Sequence, residues 1–237
     1  MRLEDTVALI TGASRGLGLE IAREYASRGA KLVLAARGAE ALDAAARSLP
    51  ESTEVEALAL DVSQDAERLV DAAVSRFGRI DVLVNNASEL GPSPMPALEN
   101  YPWRELERVL RVNLLAPLHL AQLVLPEMRD RGSGVIINVS SDAGVEAYPG
   151  WGGYGASKAA LEHLSRTLAA ELEGSGVRVY AVDPGDMNTT MHQLAEPGED
   201  LSGLPDPRVA APAFVRLVEA ETAAFLRVNA QETATAV

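Results

Sequence analysis

Apolar positions along this chain fall into short unbroken runs, separated by stretches whose apolar residues recur at helical spacing. Thr6 to Ile10 is apolar and stops at Thr11-Gly12, which predicts a first strand. Leu17 to Arg28 then places Leu17, Ile21 and Tyr25 on one helical face, with Gly29 as the stop. Further apolar runs at 31–36, 55–62, 81–85, 134–139 and 177–182 predict strands, and helices are expected over 39–49, 64–77, 103–131 and 154–173. Pro117 is expected either to kink the third of these helices or to sit where a missing hydrogen bond is tolerated. Residues 185–212 read as irregular, Ala213 to Ala224 as a last helix, and Phe225 to Gln231 as a seventh strand. Continuous rather than alternating apolar strands imply burial on both faces, and strand–helix alternation implies parallel pairing. The expected fold is therefore α/β, a doubly wound parallel sheet of about seven strands with helices on both faces. No repeat, low-complexity tract or linker divides the chain, so residues 1–237 are read as one domain.

Composition narrows the function. Hydrophobic residues make up 47% of the 237 positions but aromatics only 4%, so the core is built from Ala, Val, Leu and Ile. A net charge of −13 opposes nucleic acid and anionic membrane surfaces, leaving room only for a local basic spot on a phosphate. The absence of cysteine removes disulfide and thiolate chemistry and fits a cytoplasmic protein. The start, Met1-Arg2-Leu3-Glu4-Asp5, has no apolar signal core, and no apolar run approaches the roughly 20 residues that span a bilayer. His119, His163 and His192 are far apart in sequence, so no metal site is expected.

Two local motifs carry chemistry. Thr11-Gly12-Ala13-Ser14-Arg15-Gly16-Leu17-Gly18 lies where the first strand turns into the first helix. Glycines there let the backbone approach a pyrophosphate, and the helix N-terminus offers free N–H groups. The spacing is Gly-x-x-x-Gly-x-Gly and lacks the Gly-Lys-Ser/Thr ending of nucleotide triphosphatases, which argues against kinase or ATPase chemistry. Tyr154 and Lys158 are four residues apart, one helical turn, so both side chains leave the same face. A phenol beside an ammonium is a candidate proton donor, the charge being expected to lower its pKa. The same spacing also describes an ordinary solvated helix face.

Together these residues resemble the short-chain dehydrogenase/reductase family, in its compact single-domain branch with a Rossmann-type sheet. The resemblance covers roughly residues 5 to 191: the glycine turn, Asp61-Val62, Asn85-Asn86-Ala87, Asn113, Ser141, Tyr154-x-x-x-Lys158 and Pro184-Gly185. One departure is Ser88, where the family has glycine; it is expected to alter the loop entry slightly. The resemblance implies that Tyr154 is the catalytic acid or base, that Lys158 assists it and holds the nicotinamide ribose, and that Ser141 binds the substrate oxygen. Asn113 would hold a water linking Lys158 to solvent. Gly12, Ser14, Arg15, Gly16, Leu17 and Gly18 would cradle the cofactor's phosphates. Asp61 and Val62 would meet its adenine, Asn86 and Ala87 would line the sheet beside it, and Pro184, Gly185 and Thr189 would meet its nicotinamide end.

In this family an acid at the end of the second strand favours NAD. Here Ala36 takes that place and Arg37 follows, so NADP(H) is expected. Ser140 competes with Ser141 for the hydroxyl role, but Ser141 has the family's thirteen-residue separation from Tyr154 and is followed by Gly144. Tyr148 has no lysine one turn later, and Asp142 and Glu146 read as a solvated loop. Loops 88–100, 142–153 and 185–212 follow strand ends and are expected to set the substrate, with Tyr148, Pro149, Trp151, Met191 and Leu194 as apolar candidates. The expected activity is hydride exchange between NADP(H) and a ketone, aldehyde or secondary alcohol, in the direction of carbonyl reduction. An NAD-linked alcohol dehydrogenase and a non-catalytic cofactor-binding protein are the alternatives. A homodimer built on helices 103–131 and 154–173 is expected; the glycine-poor segment 225–237 leaves a tetramer open.

Overall fold

The computed structural model describes residues 1–220 and 225–234. Seven strands form one sheet: β1 (Val7–Thr11), β2 (Lys31–Ala36), β3 (Val55–Ala59), β4 (Val82–Asn85), β5 (Gly134–Val139), β6 (Val177–Asp183) and β7 (Phe225–Asn229). Their order is β3-β2-β1-β4-β5-β6-β7, and every pairing is parallel. Connections from β1 run outward to β2 and β3, whereas β4 to β7 run the other way. The crevice between the ends of β1 and β4 is thus the switch point at which such sheets bind ligands.

Side chains along each strand alternate between two apolar layers. Ala8 and Ile10 of β1 join one layer with Leu17, Ile21, Tyr25 and Phe214. Val7 and Leu9 join the other with Leu69, Ala73, Leu120, Val124 and Met128. All five residues of β1 and all six of β5 are buried, which is why these strands read as continuous apolar runs. The first layer is covered by α1 (Gly16–Ala26), α2 (Ala39–Arg47) and α8 (Ala211–Glu219). The second is covered by α3 (Ala66–Phe77), α5 (Ala116–Arg131) and α6 (Gly152–Glu171).

Three expectations need correction. The helix expected over 103–131 is composite: α4 (Trp103–Leu110), a π-helical segment (Arg111–Leu115) and α5. Pro117 falls in the first turn of α5, just past the π segment, where its missing N–H is tolerated. This composite run is also long and apolar enough, by length and composition, to cross a membrane, although no uninterrupted apolar run was found there; 44% of its most apolar stretch is buried inside the protein. Residues 185–212 are not wholly irregular, because Thr189 Oγ accepts from the His192 N–H and starts α7 (Thr190–Ala195). A 3₁₀ turn follows at Pro207–Val209, capped in the same way by Asp206. Finally, β7 stops at Asn229 and α9 (Ala230–Ala234) follows. The last helix, expected over 213–224, is α8 (Ala211–Glu219) and ends at Ala220, which is extended; residues 221–224 and the end of the 225–237 segment lie outside the described residues.

Candidate active site

Above the C-terminal ends of β1, β4, β5 and β6 lies a cavity of about 780 Å³. One end is the turn from β1 into α1. Gly12 has φ +66, and a Cβ there would stand 2.8 Å from Asn86 Nδ2. A Cβ on Gly18 would stand 2.5 Å from the Gly12 carbonyl oxygen. Only glycine lets the helix start this close to the strand. Asn86, at the end of β4, fastens the turn by donating from Nδ2 to the Thr11 and Gly12 carbonyls at 2.9 and 3.1 Å. Helix α1 has no side-chain cap, so its first N–H groups are unclaimed where Gly16 and Leu17 line the cavity. A long cavity ending on a positive helix terminus fits a phosphate-bearing dinucleotide.

Of the residues expected at the cofactor, Ser14, Arg15, Arg37, Val62 and Ala87 also line the cavity, as do Pro184, Gly185 and Thr189. Gly18 and Asp61 do not line it. Gly18 packs behind the turn, and the Asp61 carboxylate accepts from the Ser63 N–H and hydroxyl at 2.9 and 2.7 Å. Burial opposes ionisation of Asp61, but Ser63 and the nearby Arg37 charge outweigh it and hold the carboxyl below its ordinary range. Arg37 is 70% exposed and lies 3.5 Å from the Glu89 carboxylate.

At the other end, α6 carries Tyr154 and Lys158 into the cavity wall beside Ser141. Both side chains are buried, at 8% and 2% exposure, so the solvated-face alternative is excluded. Lys158 Nζ donates to the Val139 carbonyl at 2.7 Å and stands 5.4 Å from the Tyr154 ring centre. The expected lowering of the Tyr154 pKa does not occur. Burial pushes the phenol up to about 12, a hydrogen bond from Ser88 opposes this, and Asp183 and Asp142 add to it. Burial likewise pulls Lys158 down to about 8, partly offset by Glu162 one turn away.

Ser141 Oγ donates to Asp142 Oδ1 at 3.0 Å. The Ser140 hydroxyl is held instead by Glu162 at 2.6 Å. Asn113 sits in the π segment behind the cavity, and its side chain is saturated. Oδ1 accepts from Ser88 Oγ and the Glu89 N–H at 3.2 and 2.7 Å; Nδ2 donates to the Glu89 carbonyl and Ser157 Oγ, both at 2.9 Å. A water bridging Lys158 to solvent would therefore have to use the Asn113 main chain rather than its side chain.

Several residues at the site were not legible in the sequence. Asp142 was expected in a solvated loop; it lines the cavity and accepts from Ser141 and the Tyr148 hydroxyl. Ser88 lines the cavity and donates its hydroxyl to Asn113 Oδ1 at 3.2 Å. Arg227 reaches from β7 to bind Glu162 at 3.0 Å beneath the site, with Asp183 at 3.6 Å. The apolar candidates divide: Trp151 and Met191 line the cavity, whereas Tyr148, Pro149 and Leu194 are exposed. His192 lines it too, edge-on to Trp151. Among the described residues no group of His, Cys, Asp or Glu is placed to hold a metal.

A switch-point cavity with a glycine-turn phosphate site at one end and a buried Tyr–Lys pair at the other defines a nicotinamide-dependent oxidoreductase. Sequence comparison agrees, matching the family model for short chain dehydrogenase over residues 6–200. The chain belongs to the short-chain dehydrogenase family. It is 35% identical over 224 residues to a 3-oxoacyl-[acyl-carrier-protein] reductase of Thermotoga maritima, covering 92% of this chain and 90% of that one. Among solved structures it resembles a 3-ketoacyl-(acyl-carrier-protein) reductase from Brucella melitensis complexed with NADH, with TM-score 0.85, 29% identity, and 96% and 98% of the two chains covered. It also resembles a metagenomic short-chain oxidoreductase in complex with NADP, with TM-score 0.80, 32% identity, and 96% and 98% covered.

Proposed function

We propose that this protein reduces a ketone or aldehyde to the alcohol with NADPH, Tyr154 supplying the proton. The observation that carries the reading is the burial of Tyr154 and Lys158 together beside Ser141 on the cavity wall. When bound, the cofactor supplies the hydride. The chain's own groups do the rest. Ser141 Oγ turns from Asp142 toward the substrate oxygen and holds it. Tyr154, protonated at neutral pH because burial keeps its pKa near 12, releases its proton to that oxygen as negative charge develops there. The Lys158 ammonium stabilises the resulting phenolate, which regains its proton from solvent by way of Lys158 and a water held on the Asn113 main chain. A protonated phenol is the donor form, which favours reduction over oxidation. Replacing Tyr154 with phenylalanine keeps the ring and is expected to lower kcat/KM for NADPH-dependent reduction of a carbonyl panel by about 10² to 10⁴. Full activity in Tyr154→Phe would sink the mechanism.

NADP(H) is favoured because β2 ends in Ala36-Arg37, with no carboxylate of its own to repel a 2′-phosphate. The 2′-phosphate would displace Glu89 from Arg37. Glu89 and Asp61 beside Arg37 are the observation that keeps an NAD-linked enzyme as the second reading. Isothermal titration separates the two: NADPH is expected to bind at least about tenfold more tightly than NADH, and Arg37→Ala to abolish the difference. Equal affinities in the unaltered protein would refute the NADP(H) assignment. The segment 185–212, from which Met191 and His192 line the cavity, is assigned to substrate binding. A cytoplasmic homodimer is the expected form, joined through the outer faces of α5 and α6.

A further inference from the structure

The chain leaving β5 is pinned at three successive residues by three charged side chains. Lys158 Nζ donates to the Val139 carbonyl at 2.7 Å. The Ser140 hydroxyl donates to Glu162 Oε1 at 2.6 Å. Arg227 Nη2 reaches the Ser141 carbonyl at 3.5 Å. Lys158 and Glu162 are one turn apart on α6, so both leave the same face of that helix. Arg227 comes from β7, and its Nε donates to both Glu162 oxygens at 3.0 Å. Its Nη2 also lies 3.6 Å from Asp183 Oδ2 at the end of β6.

Glu162 is 5% exposed, so its carboxylate is withdrawn from water. A buried charge without a counter-charge is costly, and the Arg227 guanidinium meets that need at both oxygens. Lys158 is left with its hydrogen bond to Val139 and its place 5.4 Å from the Tyr154 ring centre. Were Arg227 uncharged, the cation next to Glu162 would be Lys158. The other groups facing this corner cannot stand in for the arginine. Asp142 after β5 and Asp183 at the end of β6 are acids, and Tyr154 is a phenol. The π segment meets α6 through Asn113 and Ser157, which carry no charge.

We propose that Arg227 is a positioning residue: it occupies the Glu162 carboxylate, so that the Lys158 ammonium one turn away stays on Val139 and Tyr154 instead of pairing with Glu162. The inference rests on Lys158 serving Tyr154 in the reaction. An ammonium drawn to Glu162 would hold its proton more firmly and return it to Tyr154 less readily. Burial pulls Lys158 down to about 8, and Glu162 opposes this. Freeing Glu162 strengthens the opposition, so Lys158 is expected to titrate about one to three pH units higher in Arg227→Met.

The chain has two lysines, Lys31 and Lys158, so that titration can be read directly and without turnover. The full chain is produced with lysine carrying carbon-13 at Cε, and the two signals are followed by NMR against pH. The Lys158 signal is assigned by its loss in Lys158→Met. Its midpoint is expected above about pH 9 in Arg227→Met and in Arg227→Gln, the second variant serving should the first not fold. Combining Arg227→Met with Glu162→Gln is expected to return the midpoint to that of the unaltered protein or below it. In NADPH-dependent carbonyl reduction, kcat is expected to fall by roughly 10- to 100-fold in Arg227→Met and to recover largely in the double variant. A merely structural arginine would gain nothing from the second substitution. An unchanged Lys158 midpoint in the single variants, or a rise that persists once Glu162 is replaced, would overturn the proposal. Failure of the underlying mechanism is seen separately, as activity retained in Lys158→Met.

Discussion

Replacing Lys158 with methionine is expected to destroy activity while leaving the fold equally or more stable at neutral pH. The Lys158 ammonium is 2% exposed, and burial lowers its pKa from 10.5 to about 8. At 1.36 kcal/mol per unit, holding it charged in the folded state costs about 3 kcal/mol. The sign follows from proton binding. Between pH 8 and 10.5 the unfolded chain binds the lysine proton more tightly than the folded one, so stability rises with pH across this window. The penalty is therefore complete below pH 8 and absent above 10.5. Methionine has similar length and no charge, but it leaves the Val139 carbonyl without its 2.7 Å donor, at a cost of about 1–3 kcal/mol. The net effect at pH 7 is a gain of about 0–2 kcal/mol. Urea denaturation of cofactor-free protein at pH 7, 9 and 10 measures it. The stability of Lys158→Met relative to the unaltered protein is expected to fall by roughly 2 kcal/mol from pH 7 to 10 as the parent's penalty lifts. A pH-independent difference, or a loss above about 3 kcal/mol at pH 7, would refute the reasoning.

Gly18→Ala brings a Cβ to 2.5 Å from the Gly12 carbonyl oxygen and 2.6 Å from Asn86 Nδ2. Because a backbone oxygen cannot swing aside, a loss of about 1–3 kcal/mol is expected, read by calorimetry as a Tm lower by several degrees, together with weaker cofactor binding by titration. Asn113→Ala strips partners from Ser88, Ser157 and both backbone groups of Glu89; about 3 kcal/mol of lost stability in urea is expected, against little change if the π segment relaxes. Leu115, 52% exposed on the π segment, is expected to be covered in the dimer, so Leu115→Glu should shift the sedimentation coefficient toward that of a monomer. An unaltered protein that already sediments as a monomer would remove that expectation.

Much of this protein is decided locally. Seven apolar runs separated by helical stretches are enough to give the parallel sheet, since a strand buried on both faces needs no polar side. The turn at 11–18 is legible because glycines at those spacings answer a backbone requirement, close approach of helix to strand, that no other residue meets. The four-residue gap from Tyr154 to Lys158 fixes their common face, since helix geometry is set by the backbone. The capping hydroxyl of Thr189 is a local signal too, and it starts α7 within a segment whose composition reads as irregular.

What the sequence alone did not determine depends on residues distant along the chain. The sign of the Tyr154 shift depends on burial beneath the β5 and β6 ends, which raises the phenol's pKa, with Asp183 and Asp142 adding to it. The side-chain partners of Asn113 come from two other segments: Ser88 and Glu89 on one, Ser157 on the other. Asp142 reads as solvated because a carboxylate in a loop usually is, and only the fold sets that loop against the cavity. Arg227 lies 65 residues from Glu162 and meets it only because β7 pairs with β6. Connectivity and side-chain chemistry name the groups that can act, whereas their charge state and their hydrogen-bond partners follow from which surfaces the folded chain removes from water.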